Sequence, residues 1–520
     1  MTQRGRPLFP GATSPGPGQF ASLSPSGTPA DVPVAADGGT AAPAERTPAV
    51  LPGAPRVAGR AALWDWATVR SLRDELSARI APEYQTYKES AGTEMSAEEA
   101  EQRGWEIIQD LVARWAADFS AARQISPTSA DETSLAQAVF DLQFAHGRLQ
   151  PYLDDDAVEN ILINGCDDVW VDYADQPNRK VAPIAESDEE LVELLQMLAR
   201  RHGAGERSLS KASPTLALRL SDTSRLQALT EVTPRPYVVI RKQRVRDASL
   251  EKLVELGTID ASLMHFLKAA MAARKNIMIS GTQGVGKTTM LIALAREIDP
   301  QERVGTLETE YELFLHEIGH LQQVVPMEAR EGNGERVDGR DAGEIELADL
   351  IAPSLRMMLR RMIVGEVRSR EIVPMLQAMS AGEGGSMCTI HVKRADAVFA
   401  RIAQLCIQHG GGMTQELAYL TAAMALDFVV HIHMDDRTEH GGTKERFVHQ
   451  VLEVTGEFSE LTGAPSFNRI YSPGPDGRAV PTGIQPACLD DLLQAGFHPE
   501  WLSTYQNIGA WTARPNGKVA

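Results

Sequence analysis

The sequence predicts an α/β protein, and three observations carry that reading. Two near-continuous apolar runs, Asn276–Ser280 and Arg361–Gly365, have the pattern of strands in a parallel sheet covered on both faces. Helix-period segments alternate with short apolar strands across residues 256–435. Ahead of them, residues 126–255 mix helical patterns with strand patterns, as an α+β domain does.

Taken in order, residues 1–60 hold eleven of the thirty prolines, set among Ala, Gly, Ser and Thr. Such a segment buries too little apolar surface to offset its ordering entropy, so it reads as a disordered arm, with a docking tail as the functional alternative. Residues 61–125 read as a helical module. Leu63, Trp64, Trp66, Val69 and Leu72 recur at helical spacing, as do Trp105, Ile107, Ile108, Leu111, Val112 and Trp115. Ser96 and Glu99 form a capping-box pair for the second helix. The tryptophans at this spacing point to a core, not a ligand cage. In residues 126–255 a helix over Leu135–Phe144 precedes a hairpin, Ile161–Gly165 and Val169–Val171. A helix over Glu189–Arg201 and strands over Leu216–Leu220 and Tyr237–Arg241 complete that domain. Residues 436–520 are rich in Gly, Pro and polar residues. Only Phe447–Val454 reads as strand there, so the segment is expected to be a C-terminal extension.

Composition narrows the function. The 520 residues carry 51 Lys+Arg against 70 Asp+Glu, a formal charge of −19, and 43% are hydrophobic. Sizeable cores are therefore expected, and stable nucleic-acid binding is not, because coating phosphate needs a basic surface. A local basic groove stays compatible with that balance. Cys166, Cys388, Cys406 and Cys488 make no CxxC pair, which gives neither a disulfide framework nor a zinc ribbon and fits a reducing compartment. No stretch approaches the ~20 apolar residues of a membrane helix, and no signal peptide is readable. The expectation is a cytoplasmic protein that reaches a membrane only through partners.

The chemistry centres on Gly281, Thr282, Gln283, Gly284, Val285, Gly286, Lys287 and Thr288, followed by Thr289. This run fits G-x-x-x-x-G-K-[ST], with an apolar strand before it and a helical pattern after it. Glycines let backbone N–H groups curl around phosphate oxygens without Cβ clashes. Lys287 is placed to reach the β- and γ-phosphates, and the Thr288 hydroxyl to ligate Mg²⁺. Glu366 ends the apolar strand Arg361–Gly365, as a Walker B acid does, and would hold Mg²⁺ through water or orient an attacking water. A plain salt-bridge partner is its other reading. Glu308, Glu310 and Glu312 lie within five residues at another strand end. They suit either a solvated loop or a general base with metal ligands.

The ordered series resembles the bacterial type II/IV secretion-ATPase superfamily, most of all its CpaF-like (Tad/Flp pilus) branch, over about residues 130–435. The resemblance rests on Gly147–Pro151, Val158–Gly165, Ser224-Arg225, Ile240–Lys242, the phosphate loop, Glu308–Leu313, Leu355–Met357, Ile363–Arg368, Met375–Met379, Gly385-Ser386 and Thr389–His391. It implies a P-loop (RecA-like) ATPase domain behind an α+β N-terminal domain and the helical module. It further implies a homohexameric ring that hydrolyses ATP with Mg²⁺. That ring would power assembly of a Tad/type IV-like pilus or secretion machine at the inner face of the cytoplasmic membrane. An inner-membrane platform protein would be its partner, with pilin-like substrates moved indirectly.

By the same resemblance, Glu312 matches the general base, Glu308 the first acid of the family's Asp box, Glu366 the Walker B acid and His391 the histidine near the γ-phosphate. Arg219, Arg225 and Arg241 match N-terminal-domain arginines that approach the nucleotide, one of them as an arginine finger. Arg330 resembles a further family arginine. The chain departs from the family at Thr309, where the Asp-box aspartate is expected, and at Glu383, where a first histidine is expected. Its phosphate loop also has Thr-Gln-Gly-Val. Two alternatives accompany this reading: a conjugation-type traffic ATPase, and a weakly active nucleotide-bound scaffold that Thr309 and Glu383 would favour. A helicase-like DNA motor is disfavoured by the −19 charge.

Overall fold

A computed structural model describes residues 56–503, apart from 58–59, 175, 202–208, 212, 243–247, 331, 333–335, 338–339, 342 and 410. The expected arm falls outside the described residues except for 56–57 and 60, and so do residues 504–520 of the expected extension.

After a short antiparallel pair, Arg56–Val57 with Arg60–Ala61, come three helices: α1 (Trp66–Ala91), α2 (Ala97–Arg123) and α3 (Ser129–Phe144). Each starts at a side-chain cap. Asp65 accepts from the Thr68 N–H, and Ser96/Glu99 and Thr128/Asp131 form capping boxes, so exposed helix-end donors are satisfied. Val69, Leu72, Leu76 and Ile80 pack on Ile107, Ile108, Leu111, Val112, Leu135 and Val139. The tryptophans are core, as the spacing predicts: Trp105 stands edge-on to Phe140 at 5.4 Å, and the Trp64 indole N–H donates to Ser134 at 3.0 Å. The first helix starts only after Trp64, because Asp65 caps it.

Among the described residues two larger sheets follow. The first has six strands: β1 (Val158–Asn164), β2 (Val169–Tyr173), β3 (Arg179–Val181), β4 (Thr215–Arg219), β5 (Arg225–Leu229) and β6 (Tyr237–Arg241). Their order is β3-β2-β1-β6-β5-β4, with every neighbour antiparallel. One face is covered by α4 (Asp188–Arg201), whose Leu191, Leu195 and Leu198 pack on Ile161, Ile163, Val238 and Ile240. The other face presents alternate residues, which include Val239 and Arg241. The sequence misses β3, which is short, and β5, whose Arg-Leu-Gln-Ala-Leu alternates correctly but lacks a β-branched or aromatic residue.

The second sheet is wound around β7 (Ile277–Gly281), β8 (Arg303–Glu308), β9 (Gln323–Glu328), β10 (Arg361–Val367), β11 (Met387–His391) and β12 (Phe428–Asp436). These six run parallel in the order β9-β8-β10-β11-β7-β12. Alternate residues of β7 go to opposite cores. Ile277 and Ile279 pack with α5 (Ala261–Ala272) and α6 (Lys287–Ala295), while Met278 joins the core of α7 (Leu347–Ser354), α8 (Ile372–Ala381), α9 (Val398–His409) and α10 (Gln415–Ala425). Burial on both faces is why the strand sequences read as continuous apolar runs.

The segment after residue 436 corrects the sequence reading. In place of a mostly irregular segment, β13 (Lys444–Phe458), β14 (Pro465–Pro473) and β15 (Ala479–Pro481) continue the same sheet beyond β12 as antiparallel strands. Tyr471 from β14 is fully buried against Phe266, which also meets Phe428 and Phe497 edge-on. The pattern was hidden because β13 carries polar residues along much of its length and the later strands begin or end in proline.

Asn276, just ahead of β7, ties three parts of this fold together. Its amide donates to the carbonyls of Met379 (3.1 Å) and Ala425 (2.8 Å), and its side-chain oxygen accepts from the Ser386 N–H (2.9 Å). Asn276→Ala leaves these buried backbone groups without that partner and is expected to cost about 2–4 kcal/mol of stability by urea unfolding. A loss below about 1 kcal/mol would contradict this role.

Candidate functional site

The phosphate-loop sequence sits where β7 gives way to α6, at the C-terminal ends of the parallel strands. Gly281 has φ +154, and a Cβ there would lie 2.6 Å from the Ile432 carbonyl oxygen, so only glycine fits. Gly284 and Gly286 also have positive φ. Val285 is buried beneath the loop, whereas Thr282 and Gln283 are exposed. Gly286 begins α6 with no side-chain cap, which leaves the first-turn N–H groups as donors for an anion. Lys287, Thr288 and Thr289 form that first turn.

Lys287 is almost fully buried. Its Nζ donates to the carbonyls of Thr282 (2.8 Å) and Gly281 (3.3 Å) and to His391 Nδ1 (3.1 Å). Burial, helped by the nearby Arg241 and Arg368 charges, pushes its pKa down to about 8 against the pull of Glu366 and Glu312. Because Nδ1 of His391 accepts this bond, the ring proton is assigned to Nε2, which lies 2.7 Å from Glu366 Oε1. Glu366 also accepts from Arg368 at 2.5 Å. Burial opposes ionisation of Glu366, but the close approach of His391 and the bond from Arg368 win and hold its pKa at about 2. Lys287, His391, Glu366 and Arg368 therefore form one continuous polar chain.

A second chain starts at Thr288, whose hydroxyl donates to Glu312 Oε2 at 3.1 Å. Glu308, only 2% exposed, accepts the N–H groups of Glu312 (2.7 Å) and Leu313 (2.9 Å) and so sets the turn that presents Glu312. Gly365 leaves room for it: a Cβ there would press on Glu308 Cγ at 3.2 Å. Burial pushes the Glu308 carboxyl up to about 7, against those two backbone bonds.

The three predicted arginines share one cross-strand row of the first sheet: Arg219 opposite Arg225, and Arg225 opposite Arg241. The structure brings two of them to acids. Arg225 pairs with Glu312 and with Glu310, bonding the Glu310 side chain at 3.1 Å and its carbonyl at 2.6 Å. Arg219 pairs with Glu328, whose carboxylate also accepts the Tyr311 N–H at 2.8 Å, and lies over the Tyr311 and Phe314 rings. Arg241 is exposed and acts on Lys287 through its charge.

Three predicted positions lie outside this assembly. Arg330 bonds the Gly343 carbonyl within a loop paired to Ile345. Thr309 is exposed at the end of β8. Glu383 pairs with Arg360 (2.7 Å) and Arg274 (3.5 Å), residues that precede β10 and β7, so it stands at the opposite end of the parallel strands from the phosphate loop. Sequence reasoning assigned no role to Arg368, Glu328 or Arg446. Arg368 had a local signal, two residues past Glu366. Glu328 ends a strand beside β8, and Arg446 donates to the Gly284 carbonyl at 2.9 Å from β13, so only tertiary structure exposes these two.

The "Type II/IV secretion system protein" family (T2SSE) matches residues 144–434. A candidate conjugal transfer protein of Mycobacterium tuberculosis is 30% identical over 298 residues, covering 56% of this chain and 80% of its own length. Type IV secretion system protein VirB11 of Brucella suis is 26% identical over 331 residues, 58% of this chain and 88% of its own. Among solved structures, the Legionella pneumophila ATPase DotB aligns at TM-score 0.41 and 16% identity, covering 61% of this chain and 81% of that one.

Glu308 gives a pH test of the site's electrostatics. Its pKa of about 7 lies above the ordinary 4.5, so the folded state holds a proton that the unfolded chain releases. That contribution is full below the unfolded value and is lost as pH rises through about 7. Between about pH 5 and pH 8, wild type should lose roughly 3 kcal/mol more stability than Glu308→Gln in denaturant titrations. Equal losses would contradict this environment for Glu308.

Proposed function

The chain belongs to the type II/IV secretion system protein family, and from that premise we propose that it is an ATPase motor of a secretion or pilus machine. One observation carries the reading. Arg225 of the first sheet meets Glu312, which also holds Thr288 of the phosphate loop, so two sheets of one chain meet at a single phosphate-binding loop.

In this reading ATP lays its phosphates on the loop N–H groups and Lys287. The donor set suits Mg²⁺, a hard ion that takes one or two protein oxygens and leaves the rest to phosphate and water. Thr288 and Glu366 would supply such oxygens, and among the described residues no group of three or more His, Cys, Asp or Glu forms a complete metal cage. When bound, Mg²⁺ neutralises charge on the phosphate oxygens. Glu312 serves as the base that takes a proton from the attacking water. It is paired with Arg225, so that arginine must exchange its carboxylate for phosphate before Glu312 is free. The exchange draws the first sheet toward the loop and gives hydrolysis a rigid-body movement to drive. Arg225, with Arg219 and Arg241 in its row, then supplies the positive charge of an arginine finger.

The proposal extends to a homohexameric ring at the cytoplasmic face of the inner membrane, pushing on a platform protein of a Tad-type pilus. No described helix is long and apolar enough to cross a membrane, so such a location would rest on partners. A conjugation-type traffic ATPase is the second reading, favoured by what the M. tuberculosis and B. suis relatives are named for.

Lys287→Ala and Glu366→Gln are each expected to reduce ATP-dependent phosphate release by at least ~100-fold. Release equal to wild type in both would refute the ATPase. Because Lys287 is only partly charged above about pH 8, triphosphate binding near pH 8.5 should take up a proton. Calorimetry in two buffers of different ionisation enthalpy should show this uptake, and Lys287→Ala should abolish it.

A further inference from the structure

We propose that Arg446 is a positioning residue that links the phosphate loop mechanically to the first sheet; this deepens, and rests on, the ATPase reading. Arg446 lies on β13, outside every motif the sequence displays. Its Nε donates to the Gly284 carbonyl at 2.9 Å, and its Nη2 donates to Glu159 Oε2 at 2.8 Å. One planar guanidinium therefore holds both the loop and β1 in a fixed geometry.

Both ends of this link are placed with consequence. The Gly284 carbonyl and the Val285 N–H belong to one planar peptide. Holding the carbonyl fixes the direction of that N–H, one of the donors a phosphate loop turns toward its anion. At the other end, Glu159 sits where the β1–β2 register shifts between Val158 and Asn160, an irregularity of the kind that re-aims a side chain. The neighbouring residue Asn160 stands opposite Arg241, in the same row as Arg225 and Arg219. Displacement of Glu159 is thus displacement of the arginine row.

Lys444, two residues before Arg446 and so on the same face of β13, repeats the connection. It bonds Asp172 at 2.5 Å and the Tyr173 carbonyl at 3.1 Å, and Asp172 accepts from Asn160 at 2.7 Å. The strand that carries both cations is itself tied to the loop through the sheet. β13 pairs with β12 from Lys444 to Glu453, and β12 pairs with β7, which feeds the phosphate loop. Nucleotide-dependent movement of the loop is passed by Arg446 to β1 and from there to Arg241 and Arg225.

The test uses the full chain as wild type, Arg446→Met, Glu159→Gln and the double variant. Nucleotide binding is followed with a non-hydrolysable ATP analogue, amide exchange is measured over residues 158–173, and ATP turnover is resolved into kcat and KM. In wild type the analogue should slow exchange across 158–173. Both single variants should still bind it, lose that protection, and turn over about tenfold more slowly with little change in KM. The double variant should be no slower than either single one, because one link is broken twice. Arg446→Lys, which keeps the charge but not the two-ended fork, should recover little of the protection. Retained protection in Arg446→Met, or losses that multiply in the double variant, would overturn the proposal. Failure of wild type itself to bind the analogue would instead remove the ATPase reading beneath it.

Discussion

Burial of charge around one glycine-rich loop is the constraint that organises the rest of the molecule. Lys287 is almost completely buried and Glu366 is largely so, while burial pushes the equally enclosed Glu308 toward its neutral form. A buried charge without a partner is costly, and removal of one member of such a pair typically costs about 3–5 kcal/mol. The fold answers with two polar chains. One runs from Lys287 through His391 and Glu366 to Arg368. The other runs from Thr288 through Glu312 to Arg225. The second crosses from one sheet to the other, so the electrostatics of the loop also fix where the first sheet stands.

The architecture makes that crossing possible. Parallel strands buried on both faces bring β7, β8, β10 and β11 together, and their C-terminal ends deliver Gly281, Glu308, Glu366 and His391 to one edge. The first sheet keeps one face against α4 and turns its row of arginines toward that edge. The antiparallel strands beyond β12 then brace the arrangement from the side, with Arg446 and Lys444 reaching to β1 and β2. The part of the chain with the weakest sequence signal is therefore integral to the sheet that carries the site.

Legibility in the sequence followed locality. The phosphate loop and its flanking strand and helix were readable because glycine, lysine and hydroxyl positions are fixed by neighbouring residues along the chain. Two of the buried strands, around Asn276–Ser280 and Arg361–Gly365, were readable because their hydrophobicity is continuous. β5 was not, since Arg225–Leu229 gains its strand state from pairing on both sides rather than from its own residue types. The cluster Glu308–Glu312 was visible as acids, but its division of labour was not. Only the tertiary fold shows Glu308 holding backbone N–H groups while Glu312 faces Thr288 and Arg225. Glu383 illustrates the converse. Its place in a family-like series pointed to the phosphate site, whereas pairing with Arg360 and Arg274 keeps it at the far end of the strands.

If the first sheet completes the phosphate site within the same chain, turnover depends on Arg225. Its replacement by alanine removes the charge opposite Glu310 and Glu312 but leaves the phosphate loop intact. Steady-state ATP turnover should be compared with equilibrium nucleotide binding for wild type and Arg225→Ala. The kcat is expected to fall by at least about tenfold while nucleotide affinity changes by less than about threefold. An unchanged kcat would contradict that dependence.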